Sequence, residues 1–99
     1  MIARHWTGLA QKERANEYIA HLQNDTFKQI AAIDGFISAG ILKRELAEGT
    51  EFLIITEWQT LDAIKQFAGA DHDTAVVPAL VREIMISYDD KVRHCEVIK

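Results

Sequence analysis

The amino-acid sequence predicts an α+β fold, because four strand-like stretches and two helical regions, the second of them in two pieces, follow one another in the order β-α-β-β-α-β. The clearest evidence is residues 52–69, where a strand ending at Trp58 passes directly into a helix. That strand has bulky apolar residues at both odd and even positions, which indicates burial on both faces. The order is that of the ferredoxin-like split βαβ motif, with a four-stranded antiparallel sheet.

The first half of the chain supplies a strand, a long helix and a second strand. Residues 2–7 are predicted as the first strand, ended by Gly8, and Asp34-Gly35 ends the helix. The second strand is predicted over residues 36–46, where Gly40 is a suitable position for a bulge. The helix is predicted over residues 11–33, because one stripe at helical spacing contains Ala15, Tyr18, Ile19, Leu22, Thr26, Ile30 and Ile33.

The middle of the chain predicts a hairpin followed by a short helix. Glu48-Gly49 is typical of a tight turn, so the second and third strands should pair. Thr60 suits the N-cap of the helix after Trp58, and Gly69 suits its C-terminal end.

The last thirty residues predict one more helical piece and one more strand. Pro78 suits the first turn of a helix that runs to about Ile86, and residues 88–90 suit a turn. Residues 91–98 are predicted as the final strand. Right-handed crossovers then give the spatial strand order 4-1-3-2, with both helices on one face of the sheet.

Composition narrows the classes of function. We expect one domain over residues 1–99, with a net charge of −4 and no run of basic residues. An acidic chain of this kind argues against nucleic acid or an anionic membrane as a partner. No stretch is apolar enough for a signal peptide or a membrane span, and the single cysteine, Cys95, excludes an internal disulfide and a cysteine-based zinc site. The expected location is the cytoplasm.

Two helices can cover only one face of this sheet. The other face would expose about half of the apolar strand residues, and large exposed apolar patches are typical of interaction sites. A second copy of the same sheet would cover it, so we expect a homodimer in which two sheets pack face to face as a dimeric α+β barrel.

Four segments of the chain resemble the antibiotic biosynthesis monooxygenase (ABM) domain family. They are the opening strand at residues 2–8, the helix-to-strand turn Asp34-Gly-Phe36, the strand and helix at residues 52–69, and the last strand at residues 92–97. The resemblance extends over almost the whole chain. It implies a dimeric α+β barrel and a cofactor-independent monooxygenase that uses O₂ and a small aromatic, quinol-like substrate. The alternative is a non-catalytic dimeric module that binds a ligand or has a structural role.

Haem degradation, another activity of this family, is not expected. Haem-degrading relatives use an asparagine on strand one, a tryptophan on the second helix and a histidine ten residues later. Here Phe67 occupies the position of that tryptophan, Val77 stands ten residues later in place of the histidine, and strand one has no asparagine. Nucleotide-binding and serine-hydrolase motifs are also absent.

A cofactor-free oxygenase needs an apolar cup, polar groups that hold the substrate oxygens, and a base. We expect the substrate-binding residues to be Trp58, Trp6, Phe67 and Tyr18, with Arg4 stabilising a phenolate. Trp58 matches a family tryptophan that relatives pair with an asparagine, but Ile54 and Thr56 occupy that neighbourhood here. Further aromatics available to the cup are Phe27, Phe36 and Phe52.

The proposed base is His72 or His94. His72 is flanked by two aspartates, and His94 lies on the strand that should pair with the strand carrying Arg4. Each candidate has a simpler interpretation: His72 as part of a solvated loop, His94 as a rim residue, and Trp58 as a core aromatic. No HxH or HxxxH pattern occurs, so no metal site is predicted.

Overall fold

A computed structural model describes residues 1–99 and confirms the α+β fold with an antiparallel sheet. The strands are β1 (Ile2–Ala10), β2 (Phe36–Glu45), β3 (Thr50–Trp58), β4 (Met85–Tyr88) and β5 (Arg93–Glu96). Their order is β2-β3-β1, with β4 and β5 both paired to the remaining edge of β1. This is the predicted order, except that two short strands share the fourth position.

The C-terminal prediction was wrong in its boundaries. Helix α4 spans Ala79–Ile84 and Pro78 precedes it in extended conformation, so the helix ends two residues earlier than expected. Strand β4 was missed altogether. Because β5 pairs only with Ile2–His5 of the nine-residue β1, the rest of that edge is available to β4, which pairs with Gly8–Ala10.

The first helix is slightly shorter and less regular than predicted. A 3₁₀ turn (Lys12–Arg14), helix α1 (Ala15–His21), a π turn (Leu22–Thr26) and helix α2 (Phe27–Ala31) follow without interruption. Leu22 and Ile30 are both buried, yet eight residues of regular α-helix would place them about 80° apart around the axis. The π turn takes up one extra residue and brings both into the core.

Several local predictions are confirmed. Helix α3 (Leu61–Ala68) begins at Thr60, whose side chain accepts a hydrogen bond from the Ala63 N–H at 3.2 Å. Gly69 follows it at φ 83°, a conformation that favours glycine. The β2–β3 turn closes with a 2.8 Å bond from Leu46 N–H to Gly49 O. The bulge in β2, however, lies between Phe36 and Ser38 and not at Gly40.

The two faces of the sheet differ in burial. The face toward the helices carries Arg4, Trp6, Ile54 and Thr56 on β1 and β3, and three of these four side chains are buried. The opposite face carries Leu42 and Leu53 as a cross-strand pair, and Leu42 is 55% exposed. None of the helices is long and apolar enough to cross a membrane.

Candidate functional site

A cavity lies between the sheet and the helices. Its volume is about 80 Å³, and most of its sixteen lining residues are apolar. The exposed side chains of Val76 and Pro78 are part of the lining, so the cavity reaches the surface there. The aromatic wall consists of Trp6, Tyr18, Phe27 and Phe67, and the polar lining residues are Arg4, His21, Thr26 and Thr56.

Arg4 places a cation in this apolar wall. Arg4 is 6% exposed, and its guanidinium carbon lies 5.8 Å from the centre of the Phe67 ring. Nη1 donates to His72 O at 2.6 Å and to His94 Nε2 at 2.9 Å, and Nη2 donates to Thr74 O at 3.4 Å. All three acceptors are uncharged. Burial lowers the pKa of Arg4 to about 10, which still leaves it protonated at neutral pH.

The loop before α4 and strand β5 bring the two predicted histidines to Arg4. Asp73 O accepts from the Val92 N–H at 2.8 Å, which ties the loop to the entry of β5. His94 lies directly opposite Arg4 in the β1–β5 register, and the rings of His72 and His94 are 5.4 Å apart. Arg4, His72 and His94 are therefore adjacent, as strand pairing suggested.

The hydrogen bonds of His94 define its tautomer. Arginine can only donate, so His94 Nε2 accepts from Arg4, and the proton lies on Nδ1, which donates to Asp73 Oδ1 at 3.3 Å. His72 Nε2 lies 3.6 Å from the same carboxylate oxygen. Burial and the Arg4 charge together lower the pKa of His94 below its ordinary value, although Asp73 opposes this shift.

These three groups are close enough to serve as metal ligands. The ligand atoms of His72, Asp73 and His94 lie within 4.8 Å of one another. A metal on His94 Nδ1 would require the proton on Nε2, which would then point at the Arg4 donor. The arrangement therefore fits an Arg4–His94–Asp73 hydrogen-bond chain better than a metal centre.

The pKa of His94 leads to a prediction about stability. Because the folded state lowers this pKa, the unfolded state binds the proton more readily as the pH falls below about 6.5. We expect the free energy of unfolding to fall on acidification through this range and to recover above it. His94→Gln should flatten the pH dependence in urea titrations at constant protein concentration. An unchanged pH slope in the variant would contradict the placement of His94 beside Arg4.

Two of the predicted binding residues form the inner wall of the cavity. Tyr18 is buried against Phe52, and burial raises its pKa, so its phenol stays neutral. The Tyr18 hydroxyl forms no hydrogen bond within the chain, which leaves it available to a ligand. Trp6 packs between Tyr18 and Tyr88, and its indole N–H donates to Asp89 O at 2.8 Å.

Trp58 lies outside the cavity wall. Its ring is fully buried, 5.4 Å from Phe36 and stacked on Phe67 at 6.3 Å. The indole N–H donates to Thr56 Oγ1 at 2.9 Å, and Thr56 does line the cavity. Because the Thr56 oxygen accepts from Trp58, its own proton is free for a ligand. Trp58 can thus reach a ligand only through Thr56 and Phe67.

The predicted histidines do not line the cavity, whereas His21, which was not predicted as a site residue, does. His21 and Thr26 both belong to the wall, with His21 Nε2 3.3 Å from Thr26 Oγ1. In a regular helix residues five apart lie about 140° apart around the axis, so only the π turn places them together. Phe27, five residues after Leu22, was the one available signal for such a turn.

The fold and the site together define an α+β protein with an aromatic-lined cavity between the sheet and the helices. The model of the family described as antibiotic biosynthesis monooxygenase matches residues 1–79, so the chain belongs to that family. No functionally curated protein matches the chain.

Solved structures show the same fold at low sequence identity. A Bacillus cereus protein named as a candidate antibiotic biosynthesis monooxygenase has a TM-score of 0.66 at 17% identity, covering 99% of this chain and 91% of that one. A protein described as an antibiotic biosynthesis monooxygenase has a TM-score of 0.69 at 16% identity over all of both chains. A conserved Methanosarcina mazei protein has a TM-score of 0.70 at 18% identity, covering 95% and 89%.

Proposed function

We propose that this protein is a cofactor-independent monooxygenase acting on a small phenol or quinol bound in the cavity. The observation that carries the proposal is the Arg4 guanidinium, a buried cation in an aromatic wall whose hydrogen-bond acceptors are all neutral. A cation without a contacting carboxylate favours an anionic ligand. Arginine has five N–H groups and three are used here, which leaves two for a phenolate oxygen.

The remaining wall suits the rest of an aromatic ligand. The Tyr18 and Thr56 hydroxyls can bond a second substrate oxygen, and Trp6 and Phe67 offer faces and edges to its ring. The cavity is smaller than the roughly 150 Å³ that accommodates benzene in an engineered protein core. A single ring would therefore extend toward the open side at Val76, and a polycyclic substrate would require the wall to move.

The chemistry needs no resident redox group. Loss of the phenol proton makes the ring electron-rich, and the ring carbon then bonds to O₂ as a hydroperoxide. The O–O bond breaks, one oxygen stays on carbon as a quinone carbonyl, and the other leaves as water with two substrate hydrogens. Phenol plus O₂ gives quinone plus water, with all electrons supplied by the substrate. Arg4 stabilises the phenolate that starts the sequence.

The roles of His72 and His94 as base remain predictions. Neither lines the cavity, and His94 Nε2, the nitrogen with a lone pair, already accepts from Arg4. In this position they support the guanidinium, since its Nη1 bonds both residues. A cytoplasmic location, expected from composition, is likewise a proposal.

The direct test is O₂ consumption by metal-free protein with a panel of single-ring quinols. We expect saturable consumption above the rate of autoxidation, with one hydroxyquinone formed per O₂ and no hydrogen peroxide. The control is heat-denatured protein at the same concentration. Binding of aromatic ligands without any O₂ consumption across the panel would reject the oxygenase.

A non-catalytic ligand-binding module is the second candidate. It is favoured by the residues beside Trp58, where Ile54 is apolar and the Thr56 oxygen is already occupied by the indole N–H. The wall then offers few groups that fix a substrate for reaction. This candidate predicts micromolar binding of phenols with no turnover.

We further propose a homodimer formed through the open face of the sheet. That face carries the cross-strand pair of Leu42, which is 55% exposed, and the half-buried Leu53, and a second copy would cover both. Light scattering at micromolar concentration should give twice the chain mass. The interface is expected to bury roughly 2,000 Å² or more in total. Leu42→Asp should produce monomers, whereas Lys12→Asp, an exposed change on the helical side, should not. A monomeric wild type would overturn the dimer.

A further inference from the structure

We propose that His21 is the proton acceptor of the cavity, held there by the π turn between α1 and α2. This rests on the proposed function, because it assigns the base to the same phenol-binding site. His21 is one of the polar lining residues, and its side chain is 12% exposed. It is the one histidine in the wall, while the two flanking Arg4 lie outside it.

The π turn is what makes this position possible. It places His21 and Thr26 on one side of the helix, with His21 Nε2 at 3.3 Å from the Thr26 hydroxyl. Irregular π turns inside helices occur frequently at functional sites. Here the turn places both His21 and the Thr26 hydroxyl in the cavity wall. With regular helical spacing only one of the two would face the cavity.

The other ring nitrogen faces a carboxylate. His21 Nδ1 lies 3.8 Å from Asp25 Oδ2, and Gln29 Nε2 donates to Asp25 Oδ1 at 2.6 Å, which fixes that carboxylate. A carboxylate beside Nδ1 favours the tautomer with the proton on Nδ1 and the lone pair on Nε2. The Asp25 side chain is 55% exposed. The adjacent polar side chains of Thr26, His21 and Asp25 therefore extend from the cavity to solvent.

The proton transfer balances within the site. The phenol O–H bond breaks and an N–H bond forms at His21 Nε2. The Thr26 hydroxyl, which donates to this nitrogen before the transfer, can rotate and accept from the new N–H, because a hydroxyl can both donate and accept. The phenolate then lies beside the Arg4 cation, and the imidazolium lies beside the Asp25 anion. His94 cannot accept this proton without losing its hydrogen bond from Arg4. The two roles therefore lie at different places in the wall: Arg4 binds the phenolate, and His21 accepts the proton.

The test uses para-nitrophenol, whose neutral and ionised forms absorb at different wavelengths. At a pH where the free probe is mostly neutral, wild type should bind it largely as the phenolate without releasing the proton to the buffer. Calorimetry in buffers of different ionisation enthalpy measures that proton. His21→Gln should bind the probe mainly in its neutral form. With an active quinol, the variant should lose about 100-fold in kcat with little change in KM.

Three further variants keep the result interpretable. Asp25→Asn, at an exposed position, should fold normally and lower the bound phenolate fraction in the same direction. Asn24→Ala, an exposed change on the same turn, should match wild type. Gln23→Ala, a second exposed change on that turn, should retain proton uptake by the protein. Circular dichroism verifies the fold of each variant.

The outcomes separate the two proposals. If His21→Gln and Asp25→Asn both match wild type in phenolate fraction and proton count, the His21 assignment is overturned while the oxygenase stands or falls on O₂ consumption. If wild type ionises the probe through His21 but consumes no O₂ with any quinol, the oxygenase fails and His21 remains the proton acceptor. If wild type does not bind the probe, the His21 assignment is overturned, and the oxygenase is decided by O₂ consumption with the quinol panel.

Discussion

Trp58→Ala is expected to lower the free energy of unfolding by about 3–5 kcal/mol, the usual cost of truncating a large buried aromatic. The Trp58 side chain is fully buried at the end of β3. It packs edge-on against Phe36 and stacks on Phe67, so its removal leaves a cavity where the sheet meets α3. Helix α3 begins immediately after β3, and its residues Ala63 and Ile64 belong to the same core cluster.

A milder substitution separates packing from hydrogen bonding. Trp58→Phe should retain the fold, because the ring still fills most of the site and the Thr56 hydroxyl can turn to another acceptor. Urea denaturation at constant protein concentration measures both variants, and Gln59→Ala, at the exposed neighbouring residue, is the control. A loss below about 1 kcal/mol for Trp58→Ala would contradict its placement in the core.

The parts of the fold that local chemistry determines could be predicted from the sequence. Thr60 caps α3 because its hydroxyl accepts a helix N–H, and Gly69 ends α3 because the chain needs a positive φ there. The bulky apolar residues at both odd and even positions of β3 indicated that both of its faces must be covered. These signals involve residues within one turn of each other, so no tertiary information was needed.

The irregular elements depended on contacts between distant residues. The π turn lies between the buried residues Leu22 and Ile30, which regular helical spacing already assigns to one stripe, so helical periodicity alone did not reveal the inserted residue. Strand β4 exists because β5 leaves half of β1 unpaired. The sequence of residues 85–88 continues the apolar pattern of α4, which concealed the change from helix to strand.

The same limit applied to the candidate site. Strand pairing was enough to bring Arg4 and His94 together, but alternation could not say which face of β1 meets the helices. The position of His72 depended on a loop whose course no local signal determines. His21 was overlooked because its place in the cavity depends on the π turn.

Arg4→Met should reduce turnover of a quinol substrate by at least about 100-fold, because it removes the one cation that can stabilise the phenolate in a water-poor cavity. Methionine keeps an apolar stem of similar length. The buried cation has no contacting carboxylate, so its removal leaves no unpaired charge. The three acceptors lose their donor, so we also expect a lower free energy of unfolding, and urea denaturation of the variant must accompany the activity assay.

Two matched ligands show whether the loss arises from charge. Ionised para-nitrophenol should bind Arg4→Met far more weakly than wild type, whereas its neutral methyl ether should bind both equally. Arg4→Lys should recover part of the phenolate affinity, since it restores the charge without the planar fork. Removal of the guanidinium should also raise the pKa of His94, because the Arg4 charge helps to lower it in the wild type. Equal loss of both ligands would instead indicate collapse of the cavity, and unchanged phenolate affinity would show that Arg4 does not hold the anion.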